Sequence, residues 1–267
     1  MRAIVPNIPP VQTALITGAS GGIGLDIAKL LAADGHNLIL VARSAEILGG
    51  IASELKAKHK IDAIAVPIDL ADPAAPEELF QLLQERGIGV DILVNNAGFG
   101  THGLFAESDP AAELQMLQVN IVALAHLTRL FLPYMIANRS GRIMNVASTA
   151  AFQPGPFMAG YYASKAFVLS FSEAIASELQ NSGVTVTALC PGPTDTGFQK
   201  RAGVEATPLF RSNTMTSEAV ARMGYRAMLK GRRVIVTGKK NKLLAFATRL
   251  APRSLVTSIA RKLNSGR

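Results

Sequence analysis

The sequence holds one cysteine, Cys190, among 267 residues, which excludes an internal disulfide and a zinc site of ordinary ligand count. Such cysteine usage fits a reducing compartment, so a cytoplasmic location is the expectation. No uncharged apolar run of about 18 residues or more reads as a membrane span, because the most apolar segments are short and broken by Gly, Asn or Arg. The first fifteen residues carry three prolines and one arginine but no apolar stretch of secretory length. The four histidines, His36, His59, His102 and His126, show no H-x-x-x-H or H-E-x-x-H spacing, so no metal is expected. Charged residues make up only 17% of the chain against 49% hydrophobic, which excludes disorder over most of it and supplies one large core. Repeats, low-complexity tracts and Ser/Gly linkers are missing as well, which favours a single domain.

Acidic residues are absent from Lys230 to Arg267, a stretch with eleven Lys or Arg. The formal charge of +8 therefore sits in the tail, since residues 1–229 hold 16 basic and 19 acidic side chains, a charge of −3. A basic chain with a slightly acidic body is not expected to bind nucleic acid. The organisation read from the sequence is an N-terminal extension over 1–11, a catalytic domain over 12–238 and a basic C-terminal extension over 239–267.

What is present is an alternation of short β-branched runs with longer segments of helical period, the pattern of a doubly wound parallel α/β sheet, Rossmann-like, with helices on both faces. Seven strands are predicted at Ala14–Thr17, Asn37–Ala42, Ala63–Pro67, Asp91–Val94, Arg142–Val146, Thr185–Leu189 and Arg233–Val236. Helices are predicted at Ile23–Ala33, Ala45–His59, Pro76–Glu85, Ala112–Ala137, Tyr161–Gln180 and Glu218–Leu229. The irregular stretch from Gly192 to Thr216 reads either as a lid or as a short helix pair packed on the core.

The first strand runs into Thr17-Gly18-Ala19-Ser20-Gly21-Gly22-Ile23-Gly24 and then a helix. A Gly-rich strand-to-helix turn lets backbone N–H groups approach a pyrophosphate, and the helix N-terminus adds positive potential. The second strand ends in Arg43 rather than the carboxylate that would bond a ribose 2′-hydroxyl, which favours the 2′-phosphate of NADP(H). Tyr161 and Lys165 stand four apart on one helix face. A Lys⁺ nearby would lower the phenol below its ordinary value of about 10, making Tyr161 an acid/base for carbonyl and alcohol. Cys190, ending an apolar strand with no histidine beside it, reads as a buried structural thiol.

These features occur together with Asp69-Leu70, Asn95-Asn96-Ala97-Gly98, Asn120, Ser148 and Pro191-Gly192-Pro193-Thr194-Asp195-Thr196. Over about residues 12–238 the chain resembles the short-chain dehydrogenase/reductase family, in its NADP-preferring bacterial carbonyl reductase group. The resemblance implies that Ser148 bonds the substrate oxygen, Tyr161 is the acid/base, Lys165 bonds the nicotinamide ribose and Asn120 holds a water feeding Lys165. It implies cofactor contacts from Gly18, Ser20, Gly22, Ile23, Gly24, Asp69, Leu70, Asn95, Pro191, Thr194 and Thr196. Tyr162 is a competing catalytic tyrosine but stands three, not four, residues from Lys165. In the resembled family the long fourth helix and the one after Tyr161 often form the subunit contact, so the resemblance implies a homodimer or homotetramer.

Phe99, Phe152, Phe157, Met158, Phe198 and Phe210 are expected near the strand C-termini, which points to a hydrophobic ketone or 3-oxoacyl substrate. The reading from another class is an NADPH-sensing regulator without turnover. In the tail, Leu243, Leu244, Phe246, Ala247 and Leu250 form one apolar stripe, and Leu255, Val256, Ile259, Ala260 and Leu263 a second. Two short basic amphipathic helices are expected there, either touching an anionic membrane surface or packing over the pocket or another subunit.

Overall fold

The computed structural model describes residues 11–205, 207–211 and 214–265. The proposed N-terminal extension falls almost wholly outside them, as do the side chains of Phe210 and Arg211. The strands are β1 (Thr13–Thr17), β2 (Asn37–Ala42), β3 (Ala63–Pro67), β4 (Ile92–Asn95), β5 (Gly141–Val146), β6 (Val184–Cys190), β7 (Thr194–Asp195), β8 (Met215–Thr216) and β9 (Val234–Val236). Seven of them form one parallel sheet in the order β3-β2-β1-β4-β5-β6-β9. The order reverses direction between β1 and β4, leaving a crevice at their C-terminal ends where such sheets take ligands. Central strands are buried on both faces, so Leu38 to Val41 of β2 is an unbroken apolar run rather than an alternation.

Helices α1 (Gly22–Ala33), α2 (Ala45–His59) and α9 (Ser217–Leu229) cover one face, and α3 (Ala75–Glu85), α4 (Pro110–Leu117), α5 (Leu124–Ala137) and α6 (Ala159–Glu178) the other. Local signals set their ends: Ser44 caps α2 through the Ile47 N–H, and Asp109 caps α4, which has Pro110 in its first turn. The helix expected over 112–137 is interrupted by a π-helical turn at Gln118–Ala123. Among the described residues, Pro110–Ala137 is the one helical stretch long and apolar enough to cross a membrane by length and composition, although Glu113 and Arg129 break it into shorter uncharged runs. Its Met116, Val119, Ala123, Leu127, Phe131 and Met135 are buried against the domain, the pattern of a core helix.

The stretch Gly192–Thr216 is neither a bare loop nor a simple helix pair. It contains β7, α7 (Phe198–Ala202), α8 (Pro208–Arg211) and β8, with β7 and β8 pairing in parallel as a two-residue clasp. The tail forms the two expected helices, α10 (Lys239–Ala247) and α11 (Arg253–Asn264).

Candidate active site

The cofactor end begins where β1 stops. Asn96 donates its Nδ2 to the carbonyls of Thr17 (2.9 Å) and Gly18 (3.2 Å), and Thr17 Oγ1 accepts the N–H groups of Asn96 and Ala97 at 2.9 Å. These bonds lock the end of β4 to the Gly-rich turn. Gly18 has φ 65°, and a Cβ there would lie 2.7 Å from Asn96 Nδ2, so no other residue fits without displacing Asn96. No side chain caps the start of α1, which leaves its first-turn N–H groups available to an anion.

A cavity of about 570 Å³ opens at the carboxyl ends of the strands across the β1/β4 switch, a volume suited to a small-molecule site. Gly18, Ser20, Gly22, Ile23, Arg43, Asp69, Leu70, Tyr161, Lys165, Pro191, Thr194 and Thr196 all lie on its wall, with Ser148. Two expected cofactor contacts do not. Asn95 is 3% exposed and points into the core, donating to Thr128 Oγ1 (3.0 Å) and Asn145 Oδ1 (2.9 Å); its neighbour Asn96 takes the place on the wall. Gly24 is buried behind the turn, where a Cβ would fall 2.5 Å from Gly18 O, so its part is close packing of α1 on β1.

At the other end, β5 delivers Ser148, which accepts the Ala150 N–H at 3.1 Å and donates weakly to Pro191 O at 3.4 Å. The first turns of α6 deliver Tyr161 and Lys165. Lys165 is 5% exposed, donates to Val146 O at 2.9 Å, and has its Nζ 5.8 Å from the Tyr161 ring centre. Burial pushes its ammonium down to about 8. The Tyr161 phenol moves the other way from the sequence expectation: burial raises it well above the ordinary tyrosine range, and a hydrogen bond with Ser148 offsets only part of that. The low-dielectric pocket disfavours phenolate and ammonium alike, and Lys165 is turned towards a carbonyl rather than the phenol oxygen.

Asn120 sits in the π-helical turn, is 1% exposed, and stands behind the cavity wall. Its amide accepts from Phe99 N (3.1 Å) and donates to Phe99 O (3.0 Å) and Ser164 Oγ (3.0 Å). Gly98 separates it from Lys165, since a Cβ there would lie 2.9 Å from Asn120 Oδ1 and 3.4 Å from Lys165 Nζ. π-Helical turns of this kind recur at functional sites. Cys190 is fully buried with its thiol pushed up to about 12 by burial, a form without nucleophilic character at neutral pH. Among the described residues no group of three His, Cys, Asp or Glu could hold a metal.

Of the apolar residues expected around the substrate, Phe99, Met158 and Phe198 line the cavity. Phe152 packs instead into a small core cluster beneath it. Phe157, with φ 68°, is covered by the Arg261 guanidinium 5.0 Å from its ring centre and lies beside His102.

Two residues that the sequence reading passed over belong to the site. Arg201 of α7 lies on the cavity wall with its guanidinium 4.1 Å from the Phe99 ring centre. Burial lowers its pKa, Arg43 adds to that and Asp69 opposes it, so a second cation stands towards the Arg43 end. Asn264, at the end of α11, is 1% exposed; it accepts from Tyr162 Oη (3.1 Å) and donates to Pro156 O (3.0 Å), while its own carbonyl pairs with His102 Nε2 at 2.8 Å. Nothing local in the sequence marks either residue, because each acts through chain-distant partners.

Residues 12–206 match the short chain dehydrogenase family. The ketoacyl reductase HetN of Nostoc sp. is 36% identical over 211 residues, spanning 79% of this chain and 73% of that one. A short-chain dehydrogenase from Sphingobium yanoikuyae, solved in complex with NADPH, superposes with a TM-score of 0.81 at 30% identity, covering 90% of this chain and 94% of that one. The bulky-bulky ketone specific alcohol dehydrogenase of Comamonas testosteroni gives 0.77 at 27% identity over 91% and 93%. With the uncapped Gly-rich turn at one end of a single cavity and Ser148, Tyr161 and Lys165 at the other, this chain is a member of the short-chain dehydrogenase family.

Proposed function

We propose that the protein is an NADP(H)-dependent reductase that turns a hydrophobic ketone or 3-oxoacyl group into a secondary alcohol. The observation that carries this reading is the single cavity that joins the Gly-rich cradle and Arg43 to Ser148, Tyr161 and Lys165. The cradle fits a dinucleotide: Gly18 tolerates no side chain, the start of α1 lacks a side-chain cap, and Arg43 with Arg201 supplies positive charge for a 2′-phosphate. The NADPH-bound relative and the ketoacyl reductase support the same cofactor and substrate class.

When bound, the reduced nicotinamide supplies a hydride to the carbonyl carbon. The chain's own residues manage the oxygen. Ser148 Oγ donates a hydrogen bond to it and holds it beside the phenol, and Tyr161 Oη gives it a proton. Burial raises the Tyr161 phenol further above its ordinary value, which favours the protonated form that carbonyl reduction uses. Lys165, positively charged below about 8, stabilises the phenolate left behind. Asn120 holds the Phe99 backbone and, with Ser164, braces the wall behind Lys165. Phe99, Met158 and Phe198 favour an apolar substituent on the carbonyl over a sugar. Exposed Leu114, Val122 and Phe167 on the α4–α6 face support a homodimer or homotetramer.

The test follows NADPH absorbance with a panel of aliphatic ketones, aromatic ketones, 3-oxoacyl thioesters and ketoses, each repeated with NADH. Turnover of the apolar carbonyls with preference for NADPH is expected. Tight NADPH binding with no turnover of any carbonyl would instead establish a cofactor-sensing regulator.

A further inference from the structure

Helices α10 and α11 turn small residues inward and large apolar ones outward. Ala245, Val256 and Ala260 are buried, while Leu243, Leu244, Phe246, Leu250, Leu255 and Ile259 are each at least half exposed, with Leu250 at 75%. The same helices and the turn between them present exposed Lys239, Lys240, Lys242, Arg249 and Arg253, and no acidic residue occurs after Lys230. The orientation is held from beneath: in α11, Asn264 is bonded to Tyr162 and Pro156, Arg261 covers Phe157 and the helix packs against α8; α10 packs against β9 and sets Asn241 against Gly192. The outward apolar face is therefore a fixed feature of the fold and not a loose end.

Charge decides what can cover it. A second copy meeting the same face would bring its own uncompensated cations against these, with no carboxylate on either side. Nucleic acid would satisfy the cations but leave the leucines in water, and Phe246 is the one aromatic available for stacking. An anionic bilayer uses both halves, with leucine and phenylalanine entering the acyl boundary and lysine and arginine staying among the phosphates. We propose that the outer face of α10 and α11 docks on an anionic lipid membrane. Because the inner face of this tail grips Tyr162, a residue of the cavity wall, docking brings the cavity close to the lipid surface. The inference stands on the tail alone and holds whichever carbonyl the cavity accepts.

The test is co-sedimentation of the full chain with vesicles of phosphatidylcholine alone, or mixed with phosphatidylglycerol, at low and high salt. The wild type is expected to pellet with the mixed vesicles at low salt and to remain in solution with the neutral ones. The triple variant Leu243→Ser/Phe246→Ser/Leu250→Ser and the double variant Leu255→Ser/Ile259→Ser should each lower lipid partitioning by about tenfold or more. NADPH binding should stay unchanged in both. Lys239→Glu/Lys240→Glu/Lys242→Glu should lower partitioning as well. A wild type that stays in solution with anionic vesicles overturns the proposal. So do serine variants that pellet like the wild type, since binding is then by charge alone, as to any polyanion. A change in lipid-free sedimentation mass in the serine variants overturns it too, because the face is then a subunit contact.

Discussion

Helix α1 of the body and helix α11 of the tail carry the same three-to-four apolar spacing and use it in opposite ways. In α1, Ile27, Ala28, Leu31 and Ala32 are buried, because the surface beneath is the apolar sheet. In α11 the inward face is Val256, Ala260 and Asn264, while Leu255 and Ile259 look out at 52% and 50% exposure. Beneath the end of α11 lie the Tyr162 hydroxyl and the Pro156 carbonyl, which need a side-chain amide rather than a leucine, and the His102 ring, which meets the Asn264 backbone carbonyl. Periodicity reports that a stripe exists, and the underlying surface decides whether the stripe is a core or an outer face. The tail meets the body at Tyr162 and Pro156 through α11 and at Gly192 through Asn241 of α10.

On that comparison, substitutions in the body act on chemistry or cofactor, and a substitution that frees the α11 anchor acts on substrate binding and stability. The largest effect is expected from Tyr161→Phe, which removes the transferable proton and should lower turnover about a thousandfold. NADPH affinity, read by fluorescence titration, should stay close to that of the wild type; retained turnover would remove Tyr161 from its role. Next is Arg43→Asp, which replaces a phosphate partner with a repelling carboxylate. The NADPH-to-NADH preference in kcat/KM should fall by roughly ten- to a hundredfold, and an unchanged ratio would mean that Arg43 does not meet the cofactor.

The pH dependence tests Lys165. Its ammonium is pushed down to about 8, so the charge that stabilises the Tyr161 phenolate is present below that pH and lost above it. The rate of carbonyl reduction should therefore fall as pH rises through about 8, with a one-proton dependence. Lys165→Arg keeps its charge, so whatever activity remains should lack that limb. A wild-type rate that is flat across this range would contradict the assignment.

The smallest change, and the one that separates tail from body most sharply, is Asn264→Ala. It leaves the Tyr162 hydroxyl and the Pro156 carbonyl without their partner, a loss of about 1–3 kcal/mol to be read as a lower Tm. KM for the carbonyl substrate should rise while NADPH affinity holds. Equal weakening of both would show that the tail supports the whole domain rather than the substrate side.

The seven strands were legible because each is a short apolar or β-branched run set between segments of helical period, and Asn37–Ala42 and Ala63–Pro67 coincide with β2 and β3. The Tyr161/Lys165 pair was legible because helix geometry alone puts positions four apart on one face. Which of two adjacent asparagines reaches the cavity was not. Asn95 and Asn96 lie at a strand end, where successive side chains point to opposite sides, and only the packing of α5 beneath β4 sends Asn95 to Thr128. The Tyr161 phenol was expected to fall and instead rises, since spacing reports proximity to Lys165 but not the desolvation both groups share.

By itself, then, the amino-acid sequence determined the sheet, the Gly-rich turn, the family and the axis from Ser148 to Lys165, all of which follow from patterns within one element or one turn. Tertiary structure alone decided that Arg201 of α7 stands towards Arg43, that Asn264 of α11 grips Tyr162, and that the tail's leucines face outward. Those facts depend on which surfaces meet when distant segments fold together, and no local period or spacing carries that information.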